Sequence, residues 1–468
     1  MAQSGRARKP SPKVDEIPTT RVARSAKLGG LAASQTVKYA GVRAANVARP
    51  HHKRKLAIER HHLQAADQIL AVLGTMKGPA MKLGQMLSFM DLGLLPPAVQ
   101  PRFQQRLAAL CDDAPQIPWV RMEPVLVNAL GMPITKAFRE LDIDPIGTAS
   151  IGQVYQATTH DGRTVAVKVQ YPKIVAAAKA DMKNLAVMLR VAKSIAPSID
   201  MSALAAELTD RFIEELDYVK EAANTRDLAT AFDGHPFIHV PQPVLELCGP
   251  TVLVTEYVDG RDFADMCEAS EDVRDRAGEI IVRFFFGSLF RLGRFSGDPH
   301  PGNVKLLADG RLAFIDFGSF KRVDARMLQM MTQTLRAVSE NRAGDALRVL
   351  STEGVFAHPE RLAVDDLLGY FYDTCGWFLE PGRQTMTPRV ATEAILQSLA
   401  PATDHGVASM RDQNLPVDWA LVIRTTIASM ALLGQLRATA DWHAIGGEWV
   451  YGAAPSTPLG AAEAAFFG

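Results

Sequence analysis

Two hydrophobic periods alternate along this chain and divide it into helical and strand-forming stretches. Apolar positions follow helical spacing over residues 56–131, over 173–230 and over most of the C-terminal third. Residues 146–168 instead alternate between apolar and polar positions, and the Asp161-Gly162 pair within them predicts the turn of a β-hairpin. Helices and short antiparallel strands in separate stretches predict an α+β fold.

Further short elements follow in the middle of the chain. Residues 235–260 predict two strands joined by a turn, and residues 304–315 predict a hairpin that turns at Asp309-Gly310. Helical sequence resumes at residue 262, and the aromatic-rich run at residues 278–295 predicts a core helix. The chain after Gly318 is predicted to be helical at once, and it lacks the A-P-E motif that ends the activation segment of protein kinases. It therefore leaves no room for the long segment with which a protein kinase grips a peptide.

The longest apolar stretch is residues 419–436, and its composition decides between a membrane span and a core helix. It contains Arg424, Gln435 and several small polar residues, which a lipid-facing helix tolerates poorly. We therefore expect a buried helix there.

Composition is ordinary for a globular protein, but the charge is uneven. The 468 residues are 47% hydrophobic and 22% charged, enough for two or three domains. The net charge is zero, yet residues 1–60 hold 14 of the 51 Lys and Arg and only 3 of the 51 Asp and Glu. Four scattered cysteines without a C-x-x-C pair predict neither a zinc site nor a disulfide framework, so a reducing compartment is expected.

The basic N-terminal arm admits three interpretations. Residues 1–30 combine basic residues with prolines and have no apolar core of a signal peptide, so we expect them to be disordered. The arm would bind anionic lipid, direct the chain to an organelle, or only keep it soluble. No aromatic residues stand among the basic ones as base stacking requires, and no nucleic-acid partner is expected.

Candidate chemistry is concentrated in the stretch 297–318, which reads GDPHPGNVKLLADGRLAFIDFG. Asp298, Asn303 and Asp316 match the spacing of the catalytic Asp, the metal-binding Asn and the D-F-G Asp of protein kinases. Transfer of a γ-phosphoryl group needs Mg²⁺ to neutralise phosphate charge and a carboxylate to orient the acceptor. Because a hairpin brings its ends together, the stretch predicts a phosphoryl-transfer site with Asp298 as catalytic residue and Asn303 and Asp316 as metal ligands.

A nucleotide loop is predicted upstream of this stretch. Gly147, Gly152 and Val154 match the kinase pattern G-x-G-x-x-G-x-V, with Ala149 in place of its middle glycine. Lys168 follows on the next predicted strand, where a lysine would reach the phosphates of ATP.

The lysine needs an acidic partner, and the sequence offers several. Glu214, Glu215, Asp217 and Glu221 are predicted within two turns of one helix, and one glutamate is expected to pair with Lys168 as in kinases. Residues 255–260 would then link two lobes, with the backbone around Glu256 and Tyr257 contacting the adenine.

These motifs together resemble the UbiB/ADCK family of atypical kinases over roughly residues 56–440. The most specific element is K-x-G-Q at Lys82, Gly84 and Gln85, because ordinary kinases lack it. The resemblance implies that Lys82 and Gln85 belong to a helical extension folded over the active site. It also implies that Glu215 and Asp217 form the family's E-x-D and that Glu221 is the partner of Lys168.

The resemblance also implies an architecture and a nucleotide-binding set. We expect a protein-kinase-like two-lobed fold: a basic arm at 1–55, the K-x-G-Q extension at 56–140, an N-lobe with inserted helices at 141–258 and a helical C-lobe at 259–468. The nucleotide-binding set adds Thr148 and Ser150 to the residues above. Gly147-Thr148-Ala149-Ser150 departs from the family's alanine-rich loop, and its glycine relaxes the backbone.

The expected function is that of an ATP- and Mg²⁺-dependent atypical kinase or ATPase. By resemblance it acts on ubiquinone or a related isoprenoid-lipid pathway, in the cytoplasm or peripherally at an anionic membrane, with organelle targeting by the arm left open. A small-molecule phosphotransferase of the aminoglycoside or choline kinase type is one alternative, because GDPHPGN also resembles its catalytic loop. A nucleotide-gated lipid-binding or chaperone protein with little catalysis is the other, since binding and chemistry use the same residues.

Overall fold

The structure is a computed structural model that describes residues 116–149, 151–176, 216–297, 299–356, 358–399 and 417–468. Five predicted site residues lie outside these ranges, as do the basic arm and most of the predicted helical extension: Lys82, Gln85, Ser150, Glu215 and Asp298. The described residues form two compact units. The first holds those up to Ala222 together with Pro243–Tyr257, and the second holds Ala223–Gln242 and Val258–Gly468.

A five-stranded antiparallel sheet forms the centre of the first unit. Its strands run in the order β1-β3-β4-β6, and β2 pairs with β3. The strands are β1 (Glu140–Leu141), β2 (Gly147–Thr148), β3 (Gly152–Thr158), β4 (Thr164–Gln170) and β6 (Val252–Glu256). The helices are α1 (Trp119–Leu130), α2 (Ile134–Ala137) and the start of α3 (Tyr218–Ala231).

The predicted hairpin of the first unit is confirmed. Gly162 turns the chain between β3 and β4 with φ of 89°, a left-handed conformation that glycine adopts without strain. Along β4 the alternate residues Val165, Val167 and Val169 are buried, as the period of two requires. Helix α1 packs against β4 and β6 and ends at Gly131.

The described residues of the second unit are mainly helical and form three small sheets. Their strand orders are β5-β10-β9-β7, β11-β8 and β12-β13. The strands are β5 (Ile238–His239), β7 (Arg261–Asp262), β8 (Arg294–Ser296), β9 (Val304–Leu306), β10 (Leu312–Phe314), β11 (Phe320–Arg322), β12 (Gln384–Thr385) and β13 (Thr439–Ala440). The helices are α4 (Phe263–Cys267), α5 (Glu271–Val282), α6 (Ser288–Leu292), α7 (Ala325–Ser339), α8 (Ala343–Thr352), α9 (Val364–Leu379), α10 (Pro388–Leu399), α11 (Val417–Leu436), α12 (Trp442–Val450) and α13 (Pro458–Phe467).

The α+β prediction is confirmed, but one local prediction is wrong. Both strands predicted within 235–260 are present, and they join different sheets: β5 pairs with β10 in the second unit and β6 pairs with β4 in the first. The chain after Gly318 forms β11 before α7 begins at Ala325. Strand β11 is three residues long and is fixed by pairing with β8, so sequence periodicity alone does not reveal it.

The aromatic-rich run forms the core of the second unit, as predicted. A π-helical turn at Arg283–Gly287 joins α5 to α6, and Phe284, Phe285 and Phe286 are buried. The ring of Phe284 stacks on that of Phe314 with centroids 3.6 Å apart. Residues 417–436 form helix α11, and among the described helices none has the length and apolar content needed to cross a bilayer.

A buried ionic cluster joins the π-helical turn to the C-terminal helix. The guanidinium of Arg283 is fully buried and donates to Glu279, Glu448 and Glu463 at 2.7–2.9 Å. Burial opposes ionisation of Glu448, but hydrogen bonds from Arg283 and Ser456 hold its pKa below the usual value. Burial raises the pKa of Glu463. The cluster therefore depends on the charge of Arg283.

Candidate functional site

The first unit brings Lys168 and Glu221 together. Lys168 lies on β4 directly opposite Val154, the last residue of the predicted glycine loop. Its Nζ lies 2.8 Å from Oε1 of Glu221, and the two side chains are 17% and 3% exposed. The sheet register thus places the lysine beside the loop, and helix α3 supplies its acidic partner.

The start of helix α3 gives Asp217 and Glu221 different roles. Asp217 precedes the helix, and its Oδ1 accepts a hydrogen bond of 3.0 Å from the backbone N–H of Lys220, as an N-cap does. Glu221 lies in the first turn, where the positive end of the helix dipole favours a carboxylate. Asp217 thus caps the helix that carries Glu221, whereas Glu214 and Glu215 of the predicted acidic run lie outside the described residues.

Tyr218 is a site residue that the sequence reasoning missed. Its side chain is fully buried, and Nζ of Lys168 lies 5.0 Å from its ring centroid, within reach of a cation–π contact. Tyr218 stands three residues before Glu221 on the same helix face, and that spacing is the signal that could have identified it.

The glycine loop is a tight connection between β2 and β3. Gly147 and Thr148 pair with Val154 and Gln153, and the N–H of Ala149 donates to the carbonyl of Gly152 at 2.7 Å. A Cβ on Gly152 would overlap the carbonyl of Val169 on the adjacent strand, whereas a Cβ on Gly147 would meet nothing within 4 Å. Sheet packing thus requires glycine at position 152 but not at position 147.

Glu256 and Tyr257 end the sheet of the first unit. Glu256 pairs with Val165, and the N–H of Tyr257 donates to the carbonyl of Thr164 at 3.1 Å. The backbone N–H of Tyr257 is thus used within the sheet. Adenine contact at these two residues stays a prediction.

The second unit brings the backbones of Asn303 and Asp316 to one end of the β9–β10 hairpin, whose predicted turn at Gly310 is confirmed with φ of 84°. The N–H of Ile315 donates to the carbonyl of Asn303 at 3.1 Å, and Asp316 is the next residue. A 3₁₀ turn at Pro301–Asn303 precedes β9, and Nδ1 of His300 caps it by accepting from the N–H of Gly302. Asn303 and Asp316, whose side-chain oxygens could bind a metal, therefore lie at the same end of the hairpin although they are separated in sequence.

Hydrogen bonds also fix the D-F-G segment itself. Oδ1 of Asp316 accepts from the N–H of Gly318 at 3.1 Å, and the buried Phe317 is held through its carbonyl by Nδ2 of Asn224 at 3.3 Å. Asn224 was also missed by the sequence reasoning. The N–H of Gly297, just before Asp298, donates to the carbonyl of Ser319 at 2.6 Å.

The donor set at the hairpin end fits magnesium. The side chains of Asn303 and Asp316 offer an amide oxygen and a carboxylate, the hard oxygen ligands that Mg²⁺ prefers. The hydrogen bond from the N–H of Gly318 to Oδ1 orients the carboxylate of Asp316.

Comparison with known proteins identifies the family of the chain. The pattern of the ABC1 atypical kinase-like domain matches residues 109–349, just over half of the chain. The chain belongs to the ABC1 atypical kinase-like family. The prediction of a UbiB/ADCK-type atypical kinase is thereby confirmed, together with the kinase-like fold.

Three relatives show the extent of the similarity of this ABC1-family chain to other proteins. It is 34% identical to the uncharacterized protein slr0889 of Synechocystis sp. over 63% of this chain and 75% of that protein. It is 31% identical to the mitochondrial atypical kinase COQ8B of Rattus norvegicus, over 61% of this chain and 53% of the relative. It is 32% identical to the chloroplastic protein ACTIVITY OF BC1 COMPLEX KINASE 1 of Arabidopsis thaliana, over 56% of this chain and 39% of that relative. The chain thus spans only about half or less of these two named kinases.

A solved structure gives the same fold. The complex of Rv3197 with erythromycin from Mycobacterium tuberculosis aligns with a TM-score of 0.60 at 31% identity, covering 82% of this chain and 95% of the other.

Proposed function

We propose that this protein is an atypical kinase or ATPase that uses Mg-ATP and supports ubiquinone or related isoprenoid-lipid metabolism at a membrane surface. The observation that carries the proposal is the ion pair between Lys168 and Glu221. A buried pair of this kind contributes little net stability, because desolvation offsets most of its attraction. Its position on the strand after a glycine loop is the one that kinases use for nucleotide phosphates.

In the first unit, each proposed residue has a defined task. Lys168 would neutralise the α- and β-phosphates, and Glu221 would hold the lysine in place with support from the ring of Tyr218. The backbone of the β2–β3 connection, from Gly147 through Ser150 to Val154, would cover the phosphates. Lys82, Gln85, Glu215 and Asp217 remain proposed nucleotide-site residues by resemblance.

In the second unit, Asn303 and Asp316 would hold Mg²⁺, which when bound neutralises charge on the transferred phosphoryl group. The hydrogen bond from the N–H of Gly318 orients the carboxylate of Asp316, and the 3₁₀ turn fixes the backbone of Asn303. Asp298 is proposed as the residue that orients the acceptor hydroxyl or water.

The acceptor is proposed to be a small or lipid molecule rather than a peptide. Only six residues separate Gly318 from the start of α7 at Ala325, and three of them form β11. The lipid pathway is suggested by the relation to COQ8B and the membrane surface by the basic arm at residues 1–30.

ATP turnover with and without anionic liposomes tests the proposal. Lys168→Met and Asp316→Asn should each lower turnover about 100-fold or more, because they remove charge stabilisation of the transferring group. Lys220→Met, on the exposed face of α3, is the matched control and should leave turnover unchanged. Intact Mg-ATP binding and turnover in both site variants would refute the assignment.

The same assay separates the alternatives. Asp298→Asn should abolish turnover while nucleotide still binds. Tight ATP binding by the wild type without turnover, even with lipid present, would instead favour the nucleotide-gated switch. Rapid phosphorylation of a soluble alcohol or amino-sugar would favour the small-molecule phosphotransferase. Removal of residues 1–30 should weaken liposome binding at low salt, and no change would dismiss the membrane role of the arm.

A further inference from the structure

Three arginines of the second unit surround one aspartate. The carboxylate of Asp227 on helix α3 accepts hydrogen bonds from Nη2 of Arg226 at 3.1 Å and from Nη2 of Arg322 at 2.5 Å. Nη1 of Arg294 lies 3.8 Å from Oδ2, the same oxygen that Arg322 contacts. Among the described residues, no carboxylate other than that of Asp227 forms an ion pair with any of these arginines. These four residues form the arginine cluster.

The sheet register explains why two of the arginines lie so close together. Arg294 on β8 stands directly opposite Arg322 on β11 in the antiparallel ladder. Like charges directly opposite each other on neighbouring strands are destabilising. The ladder runs from Ser296 and Phe320, beside Gly297, to the two arginines at its other end. The cluster therefore does not include the residues proposed to hold Mg²⁺.

The arginine cluster carries more positive charge than its carboxylate can neutralise. The hydrogen bond from Arg226 and the positive charges around Asp227 hold the pKa of that carboxyl below its usual value, although burial opposes this shift. Asp227 is therefore ionised at neutral pH, and arginine is always protonated in proteins. Three positive charges against one negative charge leave a surplus of two.

This surplus indicates the kind of anion that the cluster would bind. A phosphate monoester carries a charge of about −1.5 to −2 at pH 7 and offers three acceptor oxygens, whereas a carboxylate or a phosphate diester carries a single charge. Guanidinium groups bind phosphate through paired N–H donors at about 2.7–2.9 Å. Arg294 and Arg322 already reach one carboxylate oxygen, so they are close enough to share one phosphate. Arg226 and Arg322 are more than half exposed, which leaves the cluster open to solvent.

We propose that the arginine cluster is a binding site for a phosphate monoester, with Arg294 and Arg322 donating hydrogen bonds to the phosphate oxygens and Arg226 adding positive charge. The phosphate belongs either to a small free molecule or to a lipid headgroup, since the recognising chemistry is the same. The inference does not rest on the proposed use of ATP.

Methyl phosphate and dimethyl phosphate test the proposal as a matched pair of probes, because the first is a dianion at pH 7.5 and the second is a monoanion. Each is titrated into the full chain by phosphorus-31 NMR without nucleotide or Mg²⁺. The ionic strength is held constant because salt screens exposed charges. Arg322→Gln, at an exposed position, should weaken methyl phosphate binding about 5- to 20-fold, and Arg294→Gln should act in the same direction. Dimethyl phosphate should bind the wild type at least about 10-fold more weakly than methyl phosphate.

Two control variants separate this site from other positive charges. Arg389→Gln removes an exposed arginine that pairs with Glu393 on helix α10, and it should leave methyl phosphate binding unchanged. Lys168→Met alters the proposed ATP site and should also leave it unchanged, so failure of either proposal can be recognised separately. The proposal is overturned by an absence of saturable binding, by equal losses in Arg322→Gln and Arg389→Gln, or by a loss confined to Lys168→Met.

Asp227→Asn tests the charge argument in the opposite direction. Asparagine keeps an acceptor oxygen for the arginines and removes the negative charge, so methyl phosphate should bind about 3- to 10-fold more tightly. A variant that merely disturbed the fold would not gain affinity. Equal or weaker binding in Asp227→Asn would contradict the proposal.

Vesicle sedimentation distinguishes the two sources of the phosphate. Phosphatidylcholine vesicles contain either phosphatidic acid, a phosphate monoester, or phosphatidylglycerol, a diester. Residues 1–30 contribute equally to vesicle binding in Arg322→Gln and Arg389→Gln. Weaker sedimentation of Arg322→Gln with phosphatidic acid alone would assign a lipid headgroup, and equal sedimentation of the two variants would assign a free phosphate monoester. Equal weakening of Arg322→Gln with both lipids would show that the cluster does not select a monoester, which would overturn the proposal.

Discussion

Acid sensitivity of the second unit should depend on one buried histidine. His235 is 1% exposed among the rings of Phe232, Phe237, Phe466 and Phe467. Its Nδ1 accepts a hydrogen bond of 3.1 Å from the N–H of Ile238, which a protonated ring could not do. Burial, and then the positive charges of Arg283 and Arg291, lower the pKa of His235 from 6.5 to about 4. The folded unit therefore holds a neutral histidine throughout the physiological range.

The sign and size of the effect follow from linkage. As pH falls through 6.5, the unfolded histidine takes up a proton, while the folded one stays neutral until about pH 4. The unfolded state therefore binds more protons than the folded state between these pH values. As a result, the contribution of His235 to stability is fully present above pH 6.5 and is lost as the pH falls towards 4. One pKa unit corresponds to about 1.4 kcal/mol, so a pKa difference of about 2.5 changes the free energy of unfolding by at most about 3 kcal/mol. About 2 kcal/mol of this stability is lost by pH 5.

Urea unfolding at pH 7.5, 6.5, 5.5 and 5.0 measures this loss. His235→Asn keeps a side-chain acceptor for the N–H of Ile238 and removes the titrating ring, so its pH dependence should be flatter than that of the wild type by about 2 kcal/mol at pH 5. The variant should be less stable at neutral pH, since it loses ring contacts. His160→Asn, at an exposed hairpin turn, is the control and should retain the wild-type slope. Equal slopes in the wild type and His235→Asn would refute the reasoning.

Three further predictions concern single residues. Arg283→Met should destabilise the protein by about 3–5 kcal/mol in urea unfolding, because it leaves buried carboxylates unpaired, whereas the exposed Arg348→Met should change stability by less than about 0.5 kcal/mol. Gly152→Ala should lower the melting temperature by several degrees and Gly147→Ala should not, since only the first Cβ meets a backbone carbonyl; equal shifts would contradict that packing. Asp217→Ala should cost about 1 kcal/mol while Asp217→Asn stays near the wild type, because asparagine also caps a helix; equal losses would dismiss the cap.

Sequence periodicity predicted the elements whose burial follows their own pattern. The β3–β4 hairpin alternates buried valines along β4 and turns at a glycine, and both signals are local. Strand β11 was missed because three residues are too few for a period and its pairing with β8 is tertiary. The partnership of β5 with β10 was missed for the same reason, since no local signal tells a strand which sheet it will join.

The candidate site shows the same division between local and distant information. The spacing of the D-F-G stretch, together with a hairpin turn, was enough to predict that Asn303 and Asp316 share one hairpin end. The role of Asp217 as a cap was not predicted, because it depends on where helix α3 begins. Tyr218 and Asn224 were missed because a motif match ranks residues by type and position in the pattern, whereas these two act through contacts with residues distant in sequence.

The motif residues also differ in how strongly they indicate a function. Gly152 has a sufficient structural explanation, because any side chain there would overlap the backbone of β4; the same glycine would be required in a sheet that binds nothing. The pair of Lys168 and Glu221 has no such explanation, since two charges are desolvated where apolar residues would serve the sheet at least as well. The argument for a phosphate-binding role therefore depends on the ion pair. A chain that kept Gly152 and replaced the pair by apolar residues should keep the sheet and lose the proposed activity.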